Sequence, residues 1–287
     1  MAILLEGKPL AEKIKAVLAA EVAELRSRHG LAAKLISLQI GENASSAIYV
    51  KNQKKTAESL GIEYELKTLA SDATQADICR EIEDLNNDKH VTAIILQRPV
   101  PGHINVNAVI ASIDPDKDAE GMHPVNLGRI MHGKSSVSPC TAAAVMELLS
   151  STGVKLYGRE AVVVGHSEIV GKPLALMLLN NFLTTTICHI ATGERGLLPD
   201  HVKRAEILIV AVGKPGIVKG DWVRDGAIVI DVGINKVGDK IVGDVEFEGA
   251  SARASFITPV PGGVGPLTTV MLMRNTVEQF KLRFAKG

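Results

Sequence analysis

Ala161-Val162-Val163-Val164-Gly165-His166-Ser167, with residues 168–179 behind it, is the stretch on which the fold turns. The first four residues are an unbroken apolar run rich in β-branched side chains. Such a run reads as a strand buried on both faces, as in a parallel sheet. Gly165 and His166 must turn the chain sharply, Ser167 suits an N-cap, and residues 169–180 carry helical spacing with Gly171 and Pro173 in the first turn. A glycine turn between a buried strand and a helix gathers free backbone N–H groups and the positive helix end at one point, where a pyrophosphate sits well. The usual dinucleotide fingerprint, G-x-G-x-x-G, is absent: the order is Gly165, Ser167, Gly171. An ordinary buried strand and capped helix is the plainer alternative. The repetition of the arrangement downstream favours a nucleotide site.

The surrounding 287 residues are enough for two domains with sizeable cores. Basic and acidic residues balance at 32 each, so no electrostatic case exists for nucleic acid or membrane binding. Cys79, Cys140 and Cys188 are widely spaced, form no metal pattern and are odd in number, which points to a reducing cytoplasm. The eight histidines show no H-x-x-x-H spacing, so no metal is expected. The opening residues lack a basic stretch before an apolar run, and nothing approaches a membrane helix. A soluble cytoplasmic protein is expected.

Working outward, helix and strand signals alternate. Residues 9–29 are amphipathic, 35–40 read as a strand closed by Gly41, 45–60 as a helix stopped by Gly61, and 62–69 as an alternating strand. A helix over 74–86 and a buried strand over 92–96 complete a β-α-β-α-β rhythm, which implies a parallel sheet. Residues 114–121 are charged and turn-rich, hence a loop. A helix over 141–151 leads to a second unit with strands at 161–164, 185–188, 207–212 and 227–232, a doubly wound pattern. Residues 259–266 hold too much proline and glycine for regular structure, and a last helix covers 268–284.

Eight local strings then fall in order: Ser46 to Val50, Leu96 to Pro101, Asp114 to Gly121 with Met122-His123-Pro124, Ser138 to Thr141, Gly165 to Pro173, Ala211 to Gly216, Asp231 to Asn235, and Pro261 to Pro266. Together they closely resemble the bifunctional methylenetetrahydrofolate dehydrogenase/methenyltetrahydrofolate cyclohydrolase family, over essentially the whole chain. The resemblance implies an α/β protein of two α/β domains around a cleft, the second a Rossmann-like doubly wound parallel sheet. Residues 1–139, with the helix of 266–287 packed back on them, would form the folate-binding catalytic domain. Residues 140–265 would bind NAD or NADP. A homodimer follows by the same analogy.

The resemblance further implies the site. Tyr49, Gln53, Gln97 and Glu120 would be catalytic. Ser46, Leu96 and Arg98 would join them around the folate, with Pro261, Gly262, Gly263, Val264 and Gly265 as its far wall. Gly165, His166, Ser167, Ile190 and Ile234 would line the dinucleotide. The first reaction asks little of side chains, since nitrogen lone pairs expel hydride from the bridging carbon and alignment is the main requirement. The second needs water to attack and a ring nitrogen to leave, which a positioned proton-transfer group helps.

Two departures from the family pattern stand out. A lysine is expected four residues after the tyrosine, on the same helix face, and here that residue is Gln53, which hydrogen-bonds but does not titrate. Lys54 and Lys55 lie about 100° or more round the helix. On Gln53 alone, dehydrogenation is expected to survive and methenyl hydrolysis to be weak or absent. The family's aspartate before Gly121 is Glu120 here, one methylene longer, which without the resemblance would read as a solvated loop acid. Cys140, with no histidine or acid tied to it, reads as structural. Ile190 offers a 2′-phosphate nothing and His166 is only partly charged near neutrality, a lean toward NAD, although no acid ends the 185–188 strand to hold a free ribose. The alternatives are a fully bifunctional enzyme, a folate- or nucleotide-binding protein without catalysis, and a dehydrogenase for another metabolite. The tyrosine helix and the Pro261 turn argue against the last.

Overall fold

A computed structural model describes residues 1–285, apart from the side chains of residues 44 and 45. In chain order the elements are β1 (Ile3–Leu4), α1 (Gly7–His29), β2 (Lys34–Ile40), α2 (Ala44–Leu60), β3 (Glu63–Leu69), α3 (Gln75–Asn87), β4 (Ala93–Leu96), α4 (Val106–Ser112), α5 (Pro124–Met131) and α6 (Cys140–Ser151). There follow β5 (Glu160–Val164), α7 (Gly171–Asn180), β6 (Thr184–Cys188), α8 (Ile190–Glu194), α9 (Leu198–Arg204), β7 (Ile207–Val210), a 3₁₀ turn (Gly220–Trp222), β8 (Ile228–Asp231), β9 (Asn235–Val237), β10 (Lys240–Val242), α10 (Phe247–Arg253), β11 (Phe256–Ile257) and α11 (Gly265–Ala285).

Contacts divide the chain into two compact units. One is Lys13–Cys140 with Thr269–Gly287, the other Met1–Glu12 with Thr141–Thr268. Sequence reading assigned all of residues 1–139 to the first. The first twelve residues instead belong with the second, because β1 pairs in parallel with β11, Ile3 opposite Phe256. A two-residue strand carries no periodicity, so only its partner reveals it.

In the first unit β2 is central, with β3 and β4 parallel on either side. Its residues from Leu35 to Ile40 are all buried, as expected of a strand covered on both faces. Edge strand β3 alternates between exposed and half-buried positions. The β4 run Ala93-Ile94-Ile95-Leu96 is buried throughout, and its Ile94 and Leu96 join Ile36, Leu38, Ile78 and Ile82 in one apolar cluster. Thr74, expected inside α3, is its N-cap, and forms a capping box with Asp77.

In the second unit six parallel strands run β1-β11-β8-β7-β5-β6. Four were expected, and β1 and β11 extend them at one edge. β5, first of the unit's own segment, has β6 on one side and β7 on the other. The direction of winding therefore reverses beside β5, and ligands of such sheets bind at the carboxyl ends of the strands flanking that reversal. Helix α7 begins at Gly171 rather than at residue 169, and Ser167 is not its N-cap. Ser167 Oγ instead accepts from Val170 N at 3.1 Å and closes a turn ahead of the helix.

Candidate active site

The second unit holds a cavity of about 680 Å³, of the size that takes a small ligand. Its lining comes from the carboxyl ends of β5 (Val164, Gly165, His166, Ser167), β6 (Cys188, His189, Ile190) and β7 (Ala211, Val212, Lys214), with Gly193, Glu194, Leu198 and Ile217. Gly165 is required by geometry. Its φ is +121°, and a Cβ there would lie 2.2 Å from the Ala211 carbonyl oxygen. Gly171 is required too, since a Cβ would meet the Gly165 oxygen at 2.1 Å. The two glycines let β5, its turn and α7 close on one another, the close approach a nucleotide turn needs. Of the expected cofactor residues, Gly165, His166, Ser167 and Ile190 line the cavity. Ile234 is exposed and does not. His189, overlooked in the sequence, stands at the end of β6 with its ring 5.5 Å from that of His166. Its place directly after the strand was the available signal.

In the first unit the structure brings Gln53 and Gln97 together. Gln97 Nε2 donates to Gln53 Oε1 at 2.8 Å and to Ser37 Oγ at 2.9 Å. Tyr64 Oη donates to the same Gln53 oxygen at 3.1 Å. Ser37, Gln53 and Gln97 are buried. Lys54 and Lys55 face solvent, as helical rotation requires. Tyr49, one turn before Gln53, is exposed, and Ser46 is buried with its hydroxyl donating to Asn43 O at 2.9 Å. Ser37 was detectable as the lone hydroxyl in an apolar strand. Tyr64 was not, because its partner lies on another element.

Glu120 follows the buried acid Asp118, which accepts from Gly121 N, His123 N and Asn126 Nδ2. Desolvation pushes the Glu120 carboxyl up to about 7. The Arg98 charge opposes the rise and that of Asp118 adds to it. Arg98, next to Gln97, has its Nε buried without a hydrogen-bond partner. Cys140 has its thiol pushed well up by burial, in keeping with a structural role. Asn275 of α11 reaches back to Ala119 O (2.8 Å) and Ser138 O (2.9 Å). The Pro261 to Gly265 turn falls in the other unit from Gln53 and Glu120. There Gly7 N donates to Gly262 O at 2.8 Å, and a Cβ on Gly7 would lie 1.9 Å from Gly263 O. The turn therefore braces the start of α1.

A six-stranded parallel sheet with a glycine turn and a cavity at its winding reversal, in a chain whose other α/β unit carries a buried polar cluster, defines a two-unit α/β protein of the dinucleotide-binding kind. Two family profiles cover the chain: "Tetrahydrofolate dehydrogenase/cyclohydrolase, catalytic domain" over residues 5–120 and "Tetrahydrofolate dehydrogenase/cyclohydrolase, NAD(P)-binding domain" over residues 139–284. The "Bifunctional protein FolD 2" of Geobacter sulfurreducens is 47% identical over 283 residues, 98% of each chain. The crystal structure of a bifunctional FolD methylenetetrahydrofolate dehydrogenase/cyclohydrolase from Campylobacter jejuni superposes with a TM-score of 0.95 at 42% identity, covering 99% of this chain and 100% of that one. A Trypanosoma brucei methylenetetrahydrofolate dehydrogenase-cyclohydrolase complexed with NADP and an inhibitor gives 0.93 at 38% identity, covering 100% and 99%. The chain belongs to the tetrahydrofolate dehydrogenase/cyclohydrolase family. It is an NAD(P)-dependent oxidoreductase of one-carbon metabolism. Among the described residues no helix is long and apolar enough to cross a membrane.

Proposed function

We propose that the chain oxidises 5,10-methylenetetrahydrofolate to the methenyl cation and hydrolyses that cation to 10-formyltetrahydrofolate. The observation that carries the reading is the buried Gln53–Gln97 contact, in the part of the chain that matches the family's catalytic domain. The weak hydrolysis expected from Gln53 alone loses ground to the relatives, which are named bifunctional. Both steps are therefore assigned here. A dehydrogenase-only enzyme remains the reading that Gln53, as a non-titrating residue, would favour.

The glycine turn after β5, with His166, Ser167, His189 and Ile190, would hold the dinucleotide. The dinucleotide held there would supply the acceptor for the hydride that leaves the bridging carbon. The residues' task in that step is alignment, because the electron pair that expels hydride comes from the substrate nitrogens. In hydrolysis, water adds to the bridging carbon and loses a proton, one ring nitrogen takes up a proton, and its bond to that carbon breaks. Gln53 and Gln97 orient groups by hydrogen bonding. Glu120, with its carboxyl near 7, can hold or release a proton close to neutral pH, the condition for efficient acid–base catalysis. Tyr49, exposed at the start of α2, is available to stack on a pterin, with Ser46, Leu96 and Arg98 around it. The dinucleotide is NAD or NADP, with Ile190 favouring NAD.

A spectrophotometric assay of both half-reactions with each nicotinamide tests the proposal. Reduced-nicotinamide absorbance should appear on mixing with methylenetetrahydrofolate, and methenyl absorbance should decay faster than in buffer. Binding of folate with neither signal would establish a non-catalytic protein instead.

A further inference from the structure

Ser37 on β2, Gln53 on α2, Tyr64 on β3 and Gln97 after β4 meet in one polar cluster inside an apolar unit. Gln53 Oε1 accepts twice, from Tyr64 Oη and from Gln97 Nε2. Gln97 Nε2 donates twice, to Gln53 Oε1 and Ser37 Oγ. The four neutral groups therefore form one hydrogen-bonded chain, Tyr64 to Gln53 to Gln97 to Ser37. Reversing the Gln53 amide by itself would turn its NH2 toward the Gln97 NH2, donor against donor, in a place where an unmet polar group is costly. Neither amide can therefore turn over alone. This hydrogen-bonded chain uses neither the Gln53 NH2 nor the Gln97 carbonyl oxygen, and so leaves one donor group and one acceptor group for other partners.

From this hydrogen-bonded chain we propose that Tyr64 is a positioning residue for methenyl hydrolysis: it holds the Gln53 and Gln97 amides in opposite polarity, so that the pair presents one amide NH2 and one amide carbonyl to the folate and its attacking water. The inference rests on the function proposed above and says how hydrolysis proceeds where no lysine follows Tyr49 by one turn. Tyr64 does not touch the reacting atoms, and acts through Gln53. Desolvation pushes its phenol up, so it keeps its proton, and its role as donor, throughout the working pH range. Ser37 and Gln97 supply the rest of the frame.

The test is steady-state kinetics of both half-reactions in Tyr64→Phe, Gln53→Ala and the double variant, with thermal melts of each. Tyr64→Phe should lower kcat for methenyl hydrolysis about tenfold, the scale of one lost positioning hydrogen bond, and leave methylene oxidation within about threefold. In the Gln53→Ala background the same substitution should change hydrolysis no further, because the group it acts through is gone. Should Tyr64→Phe fail to fold, Ser37→Ala removes the acceptor at the other end of the hydrogen-bonded chain, beside Gln97, with little change in volume, and is expected to depress hydrolysis selectively in the same way. Equal losses in both half-reactions, an undiminished effect in the Gln53→Ala background, or normal hydrolysis by a folded Tyr64→Phe protein would each overturn the assignment. A wild-type protein that oxidises methylenetetrahydrofolate but does not hydrolyse methenyl would instead overturn the bifunctional reading, and this inference with it.

Discussion

Replacing Glu120 by glutamine should remove a pH-dependent cost from the folded protein. The carboxyl is lifted from 4.5 to about 7, chiefly because folding takes it out of water. A shift of roughly 2.5 units at ~1.4 kcal/mol per unit amounts to about 3 kcal/mol, an upper bound for a side chain still partly open to solvent. The sign follows from proton counting. Below about 4.5 the carboxyl is protonated in both folded and unfolded chains and contributes nothing. Between about 4.5 and 7 the unfolded chain releases its proton and the folded one keeps it, so stability falls as pH rises. Above about 7 both are ionised, and the full cost persists. Glu120→Gln lacks this titration. Denaturant unfolding of the two proteins side by side, at intervals from pH 4.5 to 8, should show the variant gaining on wild type by up to about 3 kcal/mol across the series. Asp231, which is pushed up to about 6 by its own burial, titrates in both proteins and cancels in the difference. A gap between the two that stays constant with pH would refute the desolvation argument.

Other perturbations test other parts of the structure. Gly165→Ala places a methyl group 2.2 Å from a backbone oxygen at a φ of +121°. It should cost on the order of 3 kcal/mol or more and abolish dinucleotide binding by titration calorimetry. Asn275→Ala leaves the Ser138 carbonyl without its amide donor and the Ala119 carbonyl with only the weak Cys140 thiol. A loss of about 2 kcal/mol in denaturant unfolding is expected, with methylenetetrahydrofolate KM raised because Glu120 follows Ala119 directly. His166→Arg puts a permanent fork of donors in the cavity beside His189. The ratio of kcat/KM with NADP to that with NAD should rise about tenfold, and an unchanged ratio would remove His166 from the ribose subsite.

Much of this was written locally in the chain. The buried β-branched runs at Val162 and Ile207, the amphipathic helices and the glycine stops declared a parallel α/β protein, because period and punctuation are properties of neighbours in sequence. The eight ordered strings marked the family, and Gln53 and Glu120 stood out against it. The tertiary structure decided what depends on distant partners. β1 exists because β11, some 250 residues later, offers it a hydrogen-bonding edge. Ile234 was assigned to the dinucleotide from its place in a string, yet the chain's path leaves it exposed and His189 in the cavity. The Glu120 carboxyl is near 7 rather than that of a solvated loop acid because folding takes it largely out of water and brings Asp118 close, against the opposing charge of Arg98. Tyr64 meets Gln53 only where β3 lies against α2. Local sequence sets the conformations a segment prefers, whereas desolvation and hydrogen-bond pairing are set by what the rest of the chain brings alongside.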